Sequence, residues 1–286
     1  MRPASRHVPR IALGVEYDGT RYCGWQRQDH CESVQGALER ALSVVANESV
    51  TVHCAGRTDT GVHGTGQVVH FDCSAEREPD AWVLGGNSNL PDDIAVRWSR
   101  RVDDEFHARF DAIERRYRYL ILSGRSRSAL YAHRAWWIHE PLDADAMQAA
   151  SAPLLGEHDF TSLRAAGCQS KSPVRELRHV RVRRHGDWTV VDVAANAFLM
   201  HMVRNMVGLL RVAGRGEADA DAVAGLLAAR DRTLSAAAAP AHGLYLTEVH
   251  YPESRGVPCP VPDDALAPVL PLIPGRGVTA ATNELR

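Results

Sequence analysis

The sequence is nearly without lysine. Lys171 is the only one in 286 residues, although lysine and arginine together number 33. This scarcity disfavours chemistry that needs a lysine amine, such as Schiff-base formation or the phosphate loop of nucleotide hydrolases. The sequence also lacks an apolar stretch near the roughly 20 residues that span a membrane. Because residues 1–10 contain no apolar run, we expect no signal peptide and a cytoplasmic protein.

Cysteine pairs of the C-x-x-C type are absent as well. The six cysteines are Cys23, Cys31, Cys54, Cys73, Cys168 and Cys259. Their irregular spacing predicts free thiols in a reducing compartment and disfavours a structural zinc site.

Positive charge is concentrated in two segments, although the formal net charge is only −2. Residues 97–134 contain ten arginines and five acidic residues, and residues 164–188 contain seven basic and two acidic residues. Such segments suit an anionic partner that contacts one face of the protein. The alternative is a set of solvated surface arginines.

One acidic residue, Asp59, lies in a glycine-rich loop of sequence AGRTDTGVHG over residues 55–64. An apolar-leaning strand ending at Cys54 is predicted before it, and another follows around Val68–Phe71. Glycines permit positive φ and close approach of a substrate, and the flanking threonines can orient the carboxylate. A tight turn with an aspartate cap is the plainer interpretation of the same residues.

Other segments show clear periodicity. Ser33 is a predicted N-cap, and apolar residues at helical spacing predict a helix to about Ala46. Alternation predicts a strand over Glu114–Ile121, with Arg116 and Tyr117 on opposite faces. Tyr117 on an inner face is typical of core packing unless another observation gives it a role.

Residues Phe198–Val212 are predicted to form a largely apolar helix with one polar stripe. His201, Arg204, Asn205 and Gly208 form that stripe. A buried arginine needs a partner, and Asp59 is the candidate for Arg204. In the first loop, Tyr22 and Trp25 could either stack on bases or anchor the loop to the core.

The pattern predicts four regions: an N-terminal extension (1–9), two similar subdomains (10–112 and 113–252), and a disordered tail rich in proline, glycine and alanine (253–286).

Several motifs together resemble the tRNA pseudouridine synthase A family over roughly residues 10–252. They are GRTDTGVHG at 56–64, FHARF at 106–110, RYRY at 116–119, DFTS at 159–162, NAF at 196–198 with MVRN at 202–205, and GLYL at 243–246. The resemblance implies an α+β fold with a mixed, largely antiparallel sheet flanked by helices around a basic cleft. It implies isomerisation of uridine to pseudouridine at positions 38–40 of the tRNA anticodon stem-loop, by a homodimer without cofactor.

The resemblance also implies residue roles. Asp59 is the catalytic aspartate and nucleophile, although the sequence leaves open whether it attacks the nucleoside covalently or removes a ribose proton. Arg57 fills the space left by the flipped uridine, and Tyr117 stacks in the pocket and assists removal of the C5 proton. Arg204 pairs with the aspartate, and Leu244 lies under the uracil. His63 and Arg116, from two of the motifs, are expected to contact substrate.

Two alternatives remain at this point. Asp59-Thr60-Gly61 is also the Asp-Thr-Gly triplet of aspartic proteases, but those enzymes use two such carboxylates and this chain has one copy. A non-catalytic RNA-binding or tRNA-folding protein on the same scaffold would explain the basic segments. Such a protein would not need the complete set of Arg57, Asp59, Tyr117 and Arg204.

Overall fold

The computed structural model describes residues 8–258. Most of the predicted N-terminal extension and of the predicted tail, together with Cys259, lies outside the described residues. No helix among the described residues is long and apolar enough to cross a membrane.

All strands of the described part belong to one sheet. The strands are β1 (Arg10–Tyr17), β2 (His53–Cys54), β3 (His63–Asp72), β4 (Ile94–Val102), β5 (Glu114–Ser123), β6 (Trp136–Ile138), β7 (Gly156–Asp159), β8 (Val174–His185), β9 (Trp188–Ala195) and β10 (Leu244–His250). Their order is β4-β1-β3-β10-β5-β9-β8-β7, with β2 on β3 and β6 on β5. Only the β3–β10 and β5–β6 pairs are parallel. The predicted mixed, largely antiparallel sheet is therefore confirmed.

The parallel pair of β3 and β10 joins the two halves of the chain. β10 comes from the end of the sequence but lies between β3 and β5. At the crossing, a Cβ added to Gly66 would lie 1.9 Å from the Thr247 carbonyl oxygen, so only glycine fits there. Because one sheet runs through both halves, the division into subdomains 10–112 and 113–252 stays a prediction.

Five helices of the described residues flank the sheet. They are α1 (Val34–Ala46), α2 (Pro79–Asn89), α3 (Ala144–Ser151), α4 (Met202–Gly214) and α5 (Ala220–Ala229). α1 begins where predicted, because the Ser33 hydroxyl accepts a hydrogen bond from the Gly36 N–H at 3.2 Å. Leu38 and Leu42 of α1 pack in one apolar cluster with Phe71 of β3. Helices α3, α4 and α5 contribute to a second, larger cluster.

The helix predicted over Phe198–Val212 begins later than expected, at Met202. His201 has a left-handed backbone with φ of 61°, and the Met202 N–H bonds the Leu199 carbonyl in a turn. Phe198 instead packs edge-on against Tyr117, with ring centres 5.1 Å apart. The apolar residues before α4 therefore pack against the core without being helical. Helical spacing in the sequence could not reveal this difference.

The expectation that all cysteines are free thiols is wrong for Cys23 and Cys31, which form a disulfide. The Cys23 N–H bonds the Glu32 carbonyl at 2.9 Å, and this closure of the loop brings the two side chains together. Cys54, Cys73 and Cys168 are free. The spacing of the cysteines could not reveal this loop closure.

Candidate active site

Asp59 lies in the loop between β2 and β3, as the sequence predicts. The strand before the loop is shorter than expected, because only His53 and Cys54 pair with β3. The Val62 N–H bonds the Asp59 carbonyl at 3.1 Å, and Gly61 adopts φ of 77° inside this turn. A glycine at position 61 therefore permits the turn that directs the chain from Asp59 into β3.

Thr58, immediately before Asp59, is held by its neighbours. Its hydroxyl lies 2.9 Å from the Tyr17 hydroxyl, and its carbonyl accepts the Trp25 N–H at 3.0 Å. Gly24 packs so closely that a Cβ there would lie 2.6 Å from the Thr58 carbonyl oxygen. Since Trp25 is fully buried, the first loop anchors to the core and fixes the backbone beside Asp59.

Two basic side chains face one oxygen of Asp59. Arg204 Nη1 lies 3.6 Å and His201 Nε2 lies 3.4 Å from Oδ2. The Arg204 Nε also donates to the Ala239 carbonyl at 2.8 Å, which fixes the guanidinium. The predicted pair between Asp59 and Arg204 is confirmed as a contact. The positive charge of Arg204 stabilises the carboxylate, whose side chain remains 33 % exposed and so accessible.

His201 is a site residue that the sequence reasoning did not assign. It lies three residues before Arg204, at the turn that precedes α4. Its left-handed backbone lets its ring reach the same carboxylate oxygen as Arg204, although it is outside the helix. The polar stripe that contains both residues was the available signal.

Tyr117 contributes a buried phenol beside the loop of residues 55–64. A Cβ added to Gly56 would lie 3.6 Å from the Tyr117 hydroxyl oxygen, an ordinary contact distance, so the phenol adjoins the backbone of this loop. Burial raises the pKa of Tyr117; the nearby Arg115 opposes that shift, and the charge of Asp59 adds to it. The phenol is therefore protonated at neutral pH.

Leu244 and Arg57, the other two residues of the predicted pocket, differ in their exposure to solvent. Leu244 is buried at the start of β10, opposite Tyr119, in the same apolar cluster as Tyr117. Arg57 is exposed, and within residues 8–258 it forms no ion pair. Arg57 is thus a solvent-facing cation two residues from Asp59.

His63 does not have the placement that substrate contact requires. It is fully buried, its Nδ1 accepts the Gly19 N–H at 3.1 Å, and its ring stacks on Tyr245 at 4.6 Å. Its Nε2 lies 2.9 Å from the His133 carbonyl oxygen. Because both ring nitrogens are used inside the protein, we correct its expected role to that of a core residue that holds the start of β3.

Arg116 lies apart from the Asp59 site, and its expected contact with substrate stays a prediction. Successive residues of a strand point to opposite faces of the sheet, so Arg116 points away from the face that carries Tyr117. Its guanidinium pairs with Glu114 at 2.8 Å and Glu248 at 3.3 Å. The first pair lies within β5 and the second joins β5 to β10, so both hold Arg116 on the face of the sheet away from the Asp59 site.

The assembled site therefore offers one accessible carboxylate, two basic groups that contact it and a protonated phenol against an apolar wall. Within the described residues, no three His, Cys, Asp or Glu side chains are grouped to hold a metal ion. Such a site can attack or deprotonate a bound molecule through Asp59 while Arg204 balances the changing charge.

Comparison with known proteins agrees with the resemblance. The family model described as tRNA pseudouridine synthase matches residues 14–111 and 150–252. The chain is 57 % identical over 253 residues to proteins named tRNA pseudouridine synthase A from Escherichia fergusonii and Shigella boydii serotype 4. Each match covers 88 % of this chain and 94 % of the relative. A protein of the same name from Escherichia coli O1:K1 matches equally well.

Proposed function

Because the chain belongs to the tRNA pseudouridine synthase family, we propose that it isomerises uridine at positions 38–40 of the tRNA anticodon stem-loop, with Asp59 as the catalytic residue. The enzyme is an isomerase that acts on tRNA uridine. We further propose a cytoplasmic homodimer that binds tRNA across both subunits. Family membership also removes the aspartic protease alternative.

The observation that carries this proposal is the pairing of Asp59 with Arg204 across 145 positions of sequence. Isomerisation breaks the bond between N1 and C1′ of the nucleoside and forms a bond between C5 and C1′. The proton on C5 is lost and N1 gains one, so the atoms balance without any oxidant or water. Both open routes, attack by the carboxylate or removal of a ribose proton, act through Asp59, and the Arg204 cation lies 3.6 Å from its Oδ2.

The other residues are proposed to prepare the base. Uridine must leave its stack before Asp59 can reach it, and this costs a few kcal/mol. Arg57, exposed and without an ion pair among the described residues, is free to enter the space left in the RNA. Tyr117 and Leu244 form the apolar wall against which the uracil would pack.

The protonated state of Tyr117 limits what it can do. Its pKa is raised by burial, so little phenolate is present at neutral pH to accept the C5 proton. We propose that the ring positions the uracil by stacking. A part in proton transfer would require the hydroxyl to release its own proton as it accepts the one from C5.

The proposal is tested with tRNA transcripts that carry tritium at C5 of uridine, without added metal or cofactor. We expect the wild type to release tritium and Asp59→Ala to release none while it still binds tRNA. Release by Asp59→Ala would contradict the role of Asp59. Tight binding without release by the wild type, on several tRNAs, would instead favour the non-catalytic RNA-binding alternative.

A further inference from the structure

The segment of residues 107–110, which we call the aromatic tip, follows β4 and ends in a solvent-facing phenylalanine. Phe110 is 74 % exposed, more than any other large apolar side chain among the described residues. Phe106, four residues earlier in the same motif, is fully buried. An exposed ring gains nothing from burial within the chain, so its position suits contact with another molecule.

Hydrogen bonds within the chain hold the aromatic tip in a defined conformation. The His107 Nδ1 accepts the N–H groups of Arg109 at 3.1 Å and Phe110 at 3.4 Å. The Asp111 carboxylate accepts the His107 N–H at 3.0 Å, and the Tyr251 hydroxyl donates to the Ala108 carbonyl at 2.7 Å. These bonds hold the backbone that presents Phe110, so little conformational freedom remains to be lost on binding.

The chemistry of the tip suits a nucleobase. The Phe110 ring lies 4.2 Å from the His107 ring, and the Arg109 guanidinium carbon lies 5.7 Å from the centre of the Phe110 ring. Arg109 forms no ion pair within residues 8–258, whereas Asp111 is neutralised by Arg255 at 2.9 Å. Aromatic rings commonly stack on single-stranded bases, and a neighbouring arginine without an ion pair can contact the adjacent phosphate.

The tip is tied to the catalytic loop through one buried residue. Arg115 Nη2 donates to the Arg109 carbonyl at 2.6 Å and to the Ala55 carbonyl at 3.1 Å. Ala55 begins the loop that contains Asp59. The two carbonyls are therefore held at one guanidinium group, and the position of the tip is fixed relative to the start of that loop.

We propose that the aromatic tip binds an unpaired base of the tRNA substrate by stacking on Phe110, outside the pocket that holds the reacting uridine. This rests on the proposed function, since it names a further contact with the same substrate. The contact would add affinity and fix the register of the RNA relative to Asp59. It differs from the role of Arg57, which lies within the catalytic loop.

The test measures tRNA affinity in the Asp59→Ala background, so that no turnover occurs during the titration. Phe110→Ala and Phe110→Leu are expected to weaken binding roughly fivefold or more, from the usual loss of one stacked base. Phe110→Trp is expected to retain affinity. Leu84→Ala, which removes a side chain of α2 that is 69 % exposed, is the matched control and is expected to have no effect.

Two further readouts distinguish the loss of a stacked base from the loss of a phosphate contact and from the loss of folded protein. The slope of log Kd against log salt concentration should stay the same in Phe110→Ala, because no phosphate contact is lost. The melting temperature should also stay the same, because the ring is exposed. Unchanged affinity of Phe110→Ala overturns the proposal, and so does full affinity of Phe110→Leu, which would indicate simple apolar contact.

A change of molecular mass of Phe110→Ala in light scattering would assign the tip to an interface between protein subunits and would equally overturn the proposal. Failure of the proposed function would be detected in a different assay, the release of tritium by the wild type. In that case the wild type releases no tritium from tRNA, whatever the behaviour of the Phe110 variants.

Discussion

Replacement of Arg115 by methionine should destabilise the protein strongly, although Arg115 contacts no carboxylate in the described structure. Its guanidinium is buried and donates to four backbone carbonyls, those of Ala55, Arg109, Ala112 and Asn196. These carbonyls belong to the loop that contains Asp59, to the link after β4 and to the residue that follows β9. Methionine keeps an apolar stem of similar length but supplies no donor.

The size of the effect follows from two opposing terms. Hydrogen bonds from a charged donor contribute about 1.5–3 kcal/mol each, and a buried carbonyl left without a donor costs about 1–3 kcal/mol. Against this, burial lowers the pKa of Arg115, because the charged guanidinium loses hydration inside the protein. Removal of the charge removes this desolvation penalty and so offsets part of the loss. We expect a net loss of about 3 kcal/mol in the free energy of unfolding.

Thermal unfolding measures this loss directly. For a chain of this size, a loss of about 3 kcal/mol lowers the melting temperature by roughly 5 °C. Arg116→Met is the matched control, because Arg116 is the next residue of β5 but 41 % exposed, and its partner Glu114 also pairs with Arg178. Its effect should stay below about 1 kcal/mol. Equal melting temperatures for the two variants would refute the reasoning.

Three further predictions concern the sheet, helix α5 and the response of stability to pH. Gly66→Ala should prevent stable folding or lower the melting temperature severely, because its Cβ would lie 1.9 Å from the Thr247 carbonyl oxygen. Gly225→Ala in α5, where a Cβ meets nothing within 4 Å, should stabilise the helix by roughly 0.5–1 kcal/mol, and the reverse order of melting temperatures would contradict this. Burial, with the charges of His107 and Arg10 adding to it, lowers the pKa of His70 to about 3, below its ordinary value near 6.5. As the pH falls, His70 of the unfolded chain therefore binds a proton before His70 of the folded protein does. The free energy of unfolding should fall as pH falls from about 6.5 toward about 3. His70→Asn, which keeps an acceptor for the Ala108 N–H, should flatten that part of the melting profile, and an unchanged slope would exclude His70 as its source.

Much of the fold could be predicted from the sequence because the relevant forces act locally. The N-cap at Ser33 and the apolar spacing behind it define α1, since a helix begins where its free N–H groups find an acceptor. The alternation in β5 separates Arg116 from Tyr117, since a pleated strand must point successive side chains to opposite faces. The motif around Asp59 placed it in a loop between strands, and that placement is confirmed.

The resemblance predicted that Asp59, Tyr117, Arg204 and Leu244 share one site, but the sequence could not supply the contacts of these residues. His201 joins Asp59 only because a left-handed turn before α4 directs its ring there. The motif predicted that His63 contacts substrate. Its ring nitrogens instead contact backbone atoms of Gly19 and His133, which are distant in sequence. Each of these outcomes depends on which segments meet across the sheet.

The same limit applies to Arg115 and to the disulfide of Cys23 with Cys31. Periodicity shows Arg115 only as one of several arginines in a predicted strand. The spacing of the cysteines gives no sign of the loop closure that joins Cys23 to Cys31. Local sequence determined most of the secondary structure, the residue types of the loop around Asp59 and the family, because these depend on backbone preferences and residue types at short spacing. The tertiary structure decided which carbonyls, cations and thiols lie together, because those contacts form only when distant segments pack around a shared core.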